Sequence, residues 1–132
     1  MTGRVYIDAS ALVRLVLAER GWEALSAYLA DHPDRAVSAI AVTEVRRALL
    51  RSMGSAARAR RAAEVLARID LVAVTPAIIQ RAGDLLPTML RTLDAVHLAT
   101  ALEIGPIAAV VTYDHRLAEA ALANGINVAA PG

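Results

Sequence analysis

The sequence lacks cysteine and lysine altogether, and each absence removes whole classes of chemistry. Without cysteine there are no disulfides, thiolate metal ligands or thiol nucleophiles, a composition that fits a cytoplasmic protein. All 14 basic residues are arginine, which excludes a lysine Schiff base, the P-loop lysine and the lysine that phospho-acceptor domains require. Any charged site must therefore be built from arginine, the 13 acidic residues and the 3 histidines.

Strong net charge and long apolar runs are also missing. The formal net charge is +1 at pH 7, so no global positive field indicates nucleic acid. Hydrophobic residues reach 57%, but alanine supplies much of this share and phenylalanine is absent. Arg14 interrupts the longest early apolar run, which leaves no stretch near the ~20 residues of a membrane helix, and no secretion signal is recognisable. We expect no membrane association and a cytoplasmic location.

The domain organisation is simple. No internal repeat, low-complexity tract or linker rich in proline and glycine divides the 132 residues. A chain of this length is sufficient for one hydrophobic core. We therefore predict a single domain over residues 1–132.

Short apolar segments alternate with stretches of helical periodicity along the whole chain. Thr75 followed by Pro76 is a strong helix start, and Ser38 and Thr92 are further candidate caps. Strands that alternate with helices imply parallel pairing through right-handed crossovers. We predict an α/β fold, a three-layer α/β/α sandwich around a mostly parallel five-stranded sheet. The predicted strands are residues 5–7, 36–37, 71–74, 107–111 and 126–128.

The first predicted strand runs directly into an acidic residue. Val5, Tyr6 and Ile7 precede Asp8, and a helical pattern begins at once. Packing alone does not explain Asp8, because an unpaired buried charge is costly. Asp8 could bring a carboxylate to the carboxyl edge of the sheet, or it could cap the following helix. This segment alone leaves both interpretations open.

Three more acids occupy comparable positions in the sequence. Asp114 follows a strongly apolar strand, while Asp94 falls in the first turn of one predicted helix and Glu44 in the second turn of another. Helix starts and strand ends meet at one edge of an open parallel sheet, which is where ligands bind. We call this edge, with Asp8, Glu44, Asp94 and Asp114, the acidic rim.

Carboxylates gathered at one edge indicate a bound cation. Like charges would raise one another's pKa and destabilise the fold unless they were neutralised. Oxygen ligands without cysteine or a histidine cluster suit Mg²⁺ or Mn²⁺. Such sites are typical of phosphodiester hydrolysis, in which the metal activates a water and neutralises charge on the phosphoryl oxygens. We therefore expect Mg²⁺ (or Mn²⁺) at the acidic rim.

The sequence resembles a known family, the PIN-domain ribonucleases, and within it the VapC-type toxins of toxin–antitoxin pairs. The similarity covers nearly the whole chain, and four motifs occur in the family's order. These motifs are Asp8-Ala9-Ser10, Thr43-Glu44-Val45, residues 93–101 and residues 112–117. The resemblance implies a sheet in the order 3-2-1-4-5 and a divalent-metal endoribonuclease acting on structured RNA. It also implies a homodimer and a cognate antitoxin protein whose tail enters the active-site groove.

The resemblance also assigns site residues. Asp8, Glu44, Asp94 and Asp114 match the acidic catalytic and metal-binding positions, so no acid is missing. Ser10 matches a polar position beside the first acid, and Thr112 matches the hydroxyl that precedes the last one. The number of metal ions, and whether Asp114 ligates directly or through water, stay open.

Three further residues are candidates for supporting roles, and two of them have a second interpretation. Arg91, just before the helix of Asp94, is the preferred contact for a substrate phosphate because its guanidinium fork suits that role. Arg47 shares a helical stripe with Glu44 and could also reach phosphate, although a solvated face with a weak ion pair explains it as well. His97 could orient Asp94 or a loop, but a lone histidine among leucine and alanine is more often a packing residue.

The predicted function is a Mg²⁺- or Mn²⁺-dependent endoribonuclease toxin of a type II toxin–antitoxin pair. A metal-activated water would attack the phosphodiester in line and leave 5′-phosphate and 3′-hydroxyl ends. The alternative is a catalytically silent PIN module that only binds RNA or a partner protein. A phospho-acceptor receiver domain does not fit, since the chain lacks its paired acids and its lysine.

Overall fold

A five-stranded parallel sheet forms the centre of the computed structural model, which describes residues 3–132. The strands follow the order β3-β2-β1-β4-β5, and every neighbouring pair is parallel. This is the predicted order and fold class. The strands are β1 (Val5–Ile7), β2 (Arg35–Ser38), β3 (Asp70–Val72), β4 (Ala109–Val111) and β5 (Val128–Ala129).

Seven helices in this part of the chain cover the two faces of the sheet. They are α1 (Ala9–Val16), α2 (Trp22–Ala30), α3 (Ile40–Arg51), α4 (Ala56–Leu66), α5 (Pro76–Asp84), α6 (Thr92–Glu103) and α7 (His115–Ala123). Helix α1 packs against α2, α3 and α4, while α6 packs against α5 and α7. The strand order runs one way from β1 to β3 and the other way from β4 to β5. Crossovers of the usual right hand therefore place these two groups on opposite faces.

The core is deepest around β1. All three residues of β1 are fully buried, and β4 beside it is buried along its length. A parallel strand covered on both faces has no solvent-facing side, so its sequence is apolar throughout instead of alternating. The edge strand β3 is largely exposed. The most protected strand is therefore the one that leads into Asp8.

The ends of several elements differ from the prediction. Thr75 is confirmed as the N-cap of α5, where its hydroxyl accepts a hydrogen bond from Ile78 N at 3.2 Å. The prediction for Thr92 is wrong, because α6 begins one residue earlier and Arg91 is its N-cap. Ser38 remains paired within β2, so the N-cap of α3 passes to Ala39, although the Ser38 hydroxyl still accepts from Ile40 N at 3.3 Å.

Hydropathy adds one finding about the helices. The longest of those within residues 3–132 have 12 residues, and none is apolar and long enough to cross a bilayer.

Replacement of Thr75 by alanine tests the start of α5. The hydroxyl satisfies one of the free N–H groups of the first turn, so Thr75→Ala should lower the free energy of unfolding by about 1 kcal/mol. For a chain of this size, Tm should fall by roughly 3–5 °C in a calorimetric scan. Thr88→Ala, an exposed turn residue, is the matched control and should leave Tm unchanged. Equal Tm values for the two variants would show that Thr75 does not stabilise α5.

Candidate active site

The carboxyl ends of β1 and β4 lie side by side at the acidic rim. The backbone N–H of Asp8 donates to Val111 O at 3.2 Å, which continues the pairing of the two strands by one residue. Thr112 follows β4 directly, so its side chain reaches the Asp8 carboxylate. Strand pairing therefore sets the position of the first acid against the loop that carries the last one.

The Asp8 carboxylate is buried, with 3% exposure, and accepts three hydrogen bonds. Its Oδ1 accepts from Ser10 Oγ at 2.7 Å and from Ala11 N at 3.0 Å, and its Oδ2 accepts from Thr112 Oγ1 at 2.6 Å. Burial raises the pKa of Asp8, and these donors act in the opposite direction. Asp8 thus both caps α1 and lies at the rim, so the two interpretations of its sequence position are compatible.

Ser10 and Thr112, the two predicted supporting residues, also fix the loop after β4. Tyr113 N donates to Ser10 Oγ and Asp114 N donates to Thr112 Oγ1, both at 3.0 Å. The hydroxyl of each residue donates to Asp8 while its oxygen accepts from this loop. The two hydroxyls therefore connect the first acid to the backbone of the last.

Asp114 caps the helix that follows it. Its Oδ1 accepts from Arg116 N at 2.9 Å and from Leu117 N at 3.3 Å. Two donors use the capacity of Oδ1, so Oδ2 is the oxygen that remains for another ligand. As with Asp8, a helix start holds the carboxylate in place.

Asp94 lies half-buried in the first turn of α6, and one of its carboxylate oxygens, Oδ2, lacks a hydrogen-bond donor within residues 3–132. This oxygen is itself buried. Burial, together with the negative charges of Asp114 and Asp8, raises the pKa of Asp94. A buried acceptor without a donor requires an explanation, and a bound ion is one of the common ones.

Glu44 is held by His97, whose sequence context favoured a packing residue. His97 Nε2 lies 2.6 Å from Glu44 Oε1, and the ring is almost completely buried. On its other side, His97 Nδ1 lies 2.6 Å from the Tyr6 hydroxyl. His97 therefore contacts Glu44 instead of Asp94. Tyr6 was not predicted at all, although a tyrosine in a buried strand requires a polar partner and could have indicated one.

The two predicted phosphate contacts differ in position. Arg91 is exposed at the N-cap of α6, three residues before Asp94, and forms no ion pair within residues 3–132. Arg47 is exposed on α3 and takes part in none of the ion pairs found within residues 3–132. Arg91 therefore lies just before the helix that carries Asp94, and Arg47 lies on the solvated face of α3.

The loop after β4 has a further support that the sequence did not reveal. The Arg14 guanidinium lies 3.5 Å from the centre of the Tyr113 ring, an arrangement in which cation and aromatic face attract. The Tyr113 hydroxyl donates to Pro131 O at 2.6 Å. These contacts hold the residue between Thr112 and Asp114 from both sides.

The carboxylates fit a hard cation in their chemistry. Over residues 3–132, no three His, Asp or Glu side chains are arranged as a ready-made metal cluster. The donor set at the rim is nevertheless all oxygen, Asp94 Oδ2 is buried without a partner, and Asp114 Oδ2 accepts no hydrogen bond in this part of the chain. Carboxylate oxygens with free lone pairs are the ligands that Mg²⁺ and Mn²⁺ prefer.

Comparisons with known proteins agree with this architecture. A family model described as the PIN domain matches residues 5–122. Ribonuclease VapC46 of Mycobacterium tuberculosis is 45% identical over 128 residues, which cover 96% of this chain and 97% of the relative. Among solved structures, Mycobacterium tuberculosis VapC20, described as a sarcin-ricin loop cleaving toxin, is 20% identical with a TM-score of 0.72 and covers 88% of this chain and 94% of its own.

A toxin–antitoxin complex from Klebsiella pneumoniae also has a TM-score of 0.72, at 21% identity, over 97% of this chain and 98% of the matched chain. The structural matches support the fold, and the identity to VapC46 over nearly the full length supports the closer relationship. The chain therefore belongs to the PIN-domain family and, within it, to the VapC ribonucleases.

Proposed function

We propose that this protein is an endoribonuclease that hydrolyses RNA phosphodiesters at the acidic rim, and that it acts as the toxin of a toxin–antitoxin pair. The observation that carries the proposal is the state of Asp94. Its Oδ2 is buried without a donor, and the charges of Asp8 and Asp114 act on it directly. Such electrostatics are concentrated at the functional sites of proteins, which supports a ligand or a reaction at this rim.

The names of relatives support the proposed substrate class and partner. VapC46 is named a ribonuclease, and VapC20 is described as a toxin that cleaves the sarcin-ricin loop. The Klebsiella neighbour was solved as a toxin–antitoxin complex. We infer that structured RNA is the substrate and that a cognate antitoxin protein inhibits the site by covering the rim.

The chain's exposed apolar side chains support a homodimer. Several lie on α3 and in the turn after it, on α5, in the connection to α6 and in the first turn of α6, where a second copy would bury them. They are Val42, Leu50, Met53, Ile79, Leu86, Met89 and Leu93.

Asp8, Asp94 and Asp114 would hold a divalent cation, and Glu44 would complete the set. When bound, Mg²⁺ or Mn²⁺ supplies charge neutralisation at a phosphodiester and lowers the pKa of water. Asp8 contributes a carboxylate whose orientation is set by three donors, and Asp114 contributes one oriented by α7. The protein therefore supplies fixed oxygens that require little rearrangement during the reaction.

Arg91 supplies the positive charge for substrate. Its guanidinium can form paired hydrogen bonds with a phosphate next to the cleaved bond. Water attack on phosphorus with loss of the 3′ oxygen would leave 5′-phosphate and 3′-hydroxyl ends. The protein forms no covalent bond to RNA in this scheme.

The direct experiment is incubation of purified protein with end-labelled structured RNA, with Mn²⁺ or with chelator. Cleavage that requires Mn²⁺ and yields 5′-phosphate ends supports the proposal. Binding without cleavage under both conditions identifies a catalytically silent PIN module.

The biological role predicts a growth phenotype. Expression of the protein alone should arrest growth, because cleavage of an essential structured RNA would stop protein synthesis. Co-expression of a small protein encoded beside it should restore growth and form a stable complex in pull-downs. Colony counts after induction measure the effect, with Asp94→Asn as the inactive control. Normal growth with soluble wild-type protein would contradict the toxin role.

The way in which RNA is held can be measured from salt dependence. With a net charge of +1, affinity should rest on few contacts, so the slope of log K against log salt should be shallow, at about −0.7 per neutralised phosphate. Arg91→Ala should weaken binding and reduce the slope by about one contact. Arg81→Ala is the matched control, since Arg81 already pairs with Glu103 at 2.9 Å. Equal slopes for both variants would remove Arg91 from the site.

Asp94→Asn tests the shared electrostatics of the rim. The substitution keeps the shape of the side chain and deletes one charge, so the metal-free variant should melt at or above the wild-type Tm. Its gain in Tm on addition of Mn²⁺ should shrink, because stabilisation by a ligand follows occupancy. RNA cleavage should fall at least ~100-fold. Calorimetry with chelator and with Mn²⁺ gives the first two values.

The free energy of unfolding should also depend on pH differently in wild type and in Asp94→Asn. The folded-state pKa of Asp94 is raised, so its contribution to stability is present below the unfolded value, near 4, and is lost as pH rises through the folded value. Metal-free wild type should lose this contribution with rising pH, and Asp94→Asn should not. Asp84→Asn, at an exposed helix end, is the control for the Mn²⁺ response and cleavage. A variant that is less stable without metal yet gains the full Mn²⁺ shift would show that Asp94 only stabilises the start of α6.

A further inference from the structure

A continuous chain of hydrogen bonds runs from the backbone of β2 to Glu44. Ser38 N donates to the Tyr6 hydroxyl at 3.0 Å, the hydroxyl lies 2.6 Å from His97 Nδ1, and His97 Nε2 lies 2.6 Å from Glu44 Oε1. Ser38, Tyr6 and His97 are buried, while the Glu44 side chain is 22% exposed. Only the last member of the chain reaches solvent.

The surroundings fix the direction of each bond. The Tyr6 oxygen accepts from Ser38 N, so the O–H of Tyr6 is available to donate to a second partner. The nearby Thr100 hydroxyl does not donate to Tyr6, because its proton is used in a hydrogen bond to Val96 O at 2.7 Å. Tyr6 therefore donates to His97 Nδ1, which leaves the proton of a neutral ring on Nε2, facing Glu44.

We propose that Tyr6 and His97 are positioning residues for Glu44, which hold its carboxylate in one orientation through the ring N–H on Nε2. The inference rests on the proposed function, since it assigns Glu44 a task at the acidic rim. Glu44 Oε1 is occupied by His97, and Oε2 accepts no hydrogen bond within the part of the chain that the structure describes. Oε2 is thus the oxygen available to a cation or to substrate.

The need for such a support follows from the flexibility of glutamate. A partly exposed glutamate on a helix has several rotamers, and fixing one of them costs conformational entropy. Asp8 and Asp114 are held by backbone N–H groups at helix starts, whereas Glu44 lies in the second turn of α3 and has no such donor. His97 supplies the missing donor to Glu44. The hydrogen bonds behind His97 lead through Tyr6 to a backbone N–H of the neighbouring strand β2, which fixes the ring in place.

Tyr6 also links this support to the first acid. Tyr6 and Asp8 are two residues apart at the end of β1, so their side chains leave the strand on the same side. A shift of β1 would move both together. The relative position of Asp8 and Glu44 is thereby set by one strand.

Nuclear magnetic resonance of protein labelled with ¹⁵N-histidine tests the bond directions in metal-free protein. His97 should show a protonated Nε2 and an unprotonated Nδ1, with its Nε2–H at low field. Glu44→Gln should move that proton upfield, and Tyr6→Phe should reduce the preference for this tautomer. A protonated Nδ1, or an Nε2–H that Glu44→Gln does not move, would overturn the proposal.

Two substitutions of His97 separate positioning from packing. His97→Gln keeps a side-chain N–H that can reach Glu44, while His97→Leu retains bulk and removes the donor. Without RNA, His97→Leu should bind Mn²⁺ roughly 10–100-fold more weakly by calorimetric titration, and His97→Gln should recover a substantial part of the affinity. With RNA, kcat should fall in the leucine variant at nearly constant KM, since Arg91 still binds phosphate. His32→Gln, in the loop before β2, is the control and should match wild type.

Several outcomes would contradict the positioning role. Leucine and glutamine variants with equal Mn²⁺ affinity and kcat, but lower Tm, would make His97 a packing residue only. If His97→Leu does not fold, Tyr6→Phe replaces it and should show the same losses in smaller degree; unchanged Mn²⁺ affinity in that variant overturns the proposal. Wild-type protein that cleaves no RNA would refute the proposed function, while the resonance and Mn²⁺ measurements would still decide whether His97 orients Glu44.

Discussion

Burial of the Asp8 carboxylate is the constraint on which the rest of the site depends. A carboxylate with 3% exposure is tolerated only because three donors from two directions surround it. One is a backbone N–H of α1, and the other two are hydroxyls that also fix the loop after β4. Asp8 therefore joins β1, α1 and the loop between β4 and Asp114 in one network. Neither β1 nor β4 can shift without breaking these hydrogen bonds.

The acids of the rim are held by the same interactions that form the fold. Asp8 starts α1 and Asp114 starts α7, so each carboxylate stabilises a helix while it lies at the site. Asp94 has no such role, because Arg91 is the N-cap of α6. Burial raises the pKa of both Asp8 and Asp94, but three donors to Asp8 act against its shift, whereas Oδ2 of Asp94 has no donor within residues 3–132.

Local sequence patterns made the fold class predictable, while long-range side-chain contacts did not follow from them. Parallel pairing and the start of α5 at Thr75 could be predicted because apolar strands and caps have local patterns, whereas the strand order came from the family resemblance. Thr92 was misplaced by one residue, as helix ends are weakly encoded. The partnership of Tyr6 with His97 joins residues 91 positions apart, and no spacing rule in a single sequence connects them. Arg14 on Tyr113 is hidden for the same reason.

The shortness of β1 also determines where the chain can change length. With only three residues, β1 has no spare position, and neighbouring residues face opposite sides of the sheet. An insertion between Tyr6 and Asp8 would turn one of them to the wrong face and separate the carboxylate from its donors. Insertions and deletions should instead be tolerated in exposed connections such as the one between α5 and α6, where few backbone groups are committed. The start of the domain is thus the segment with least freedom in length.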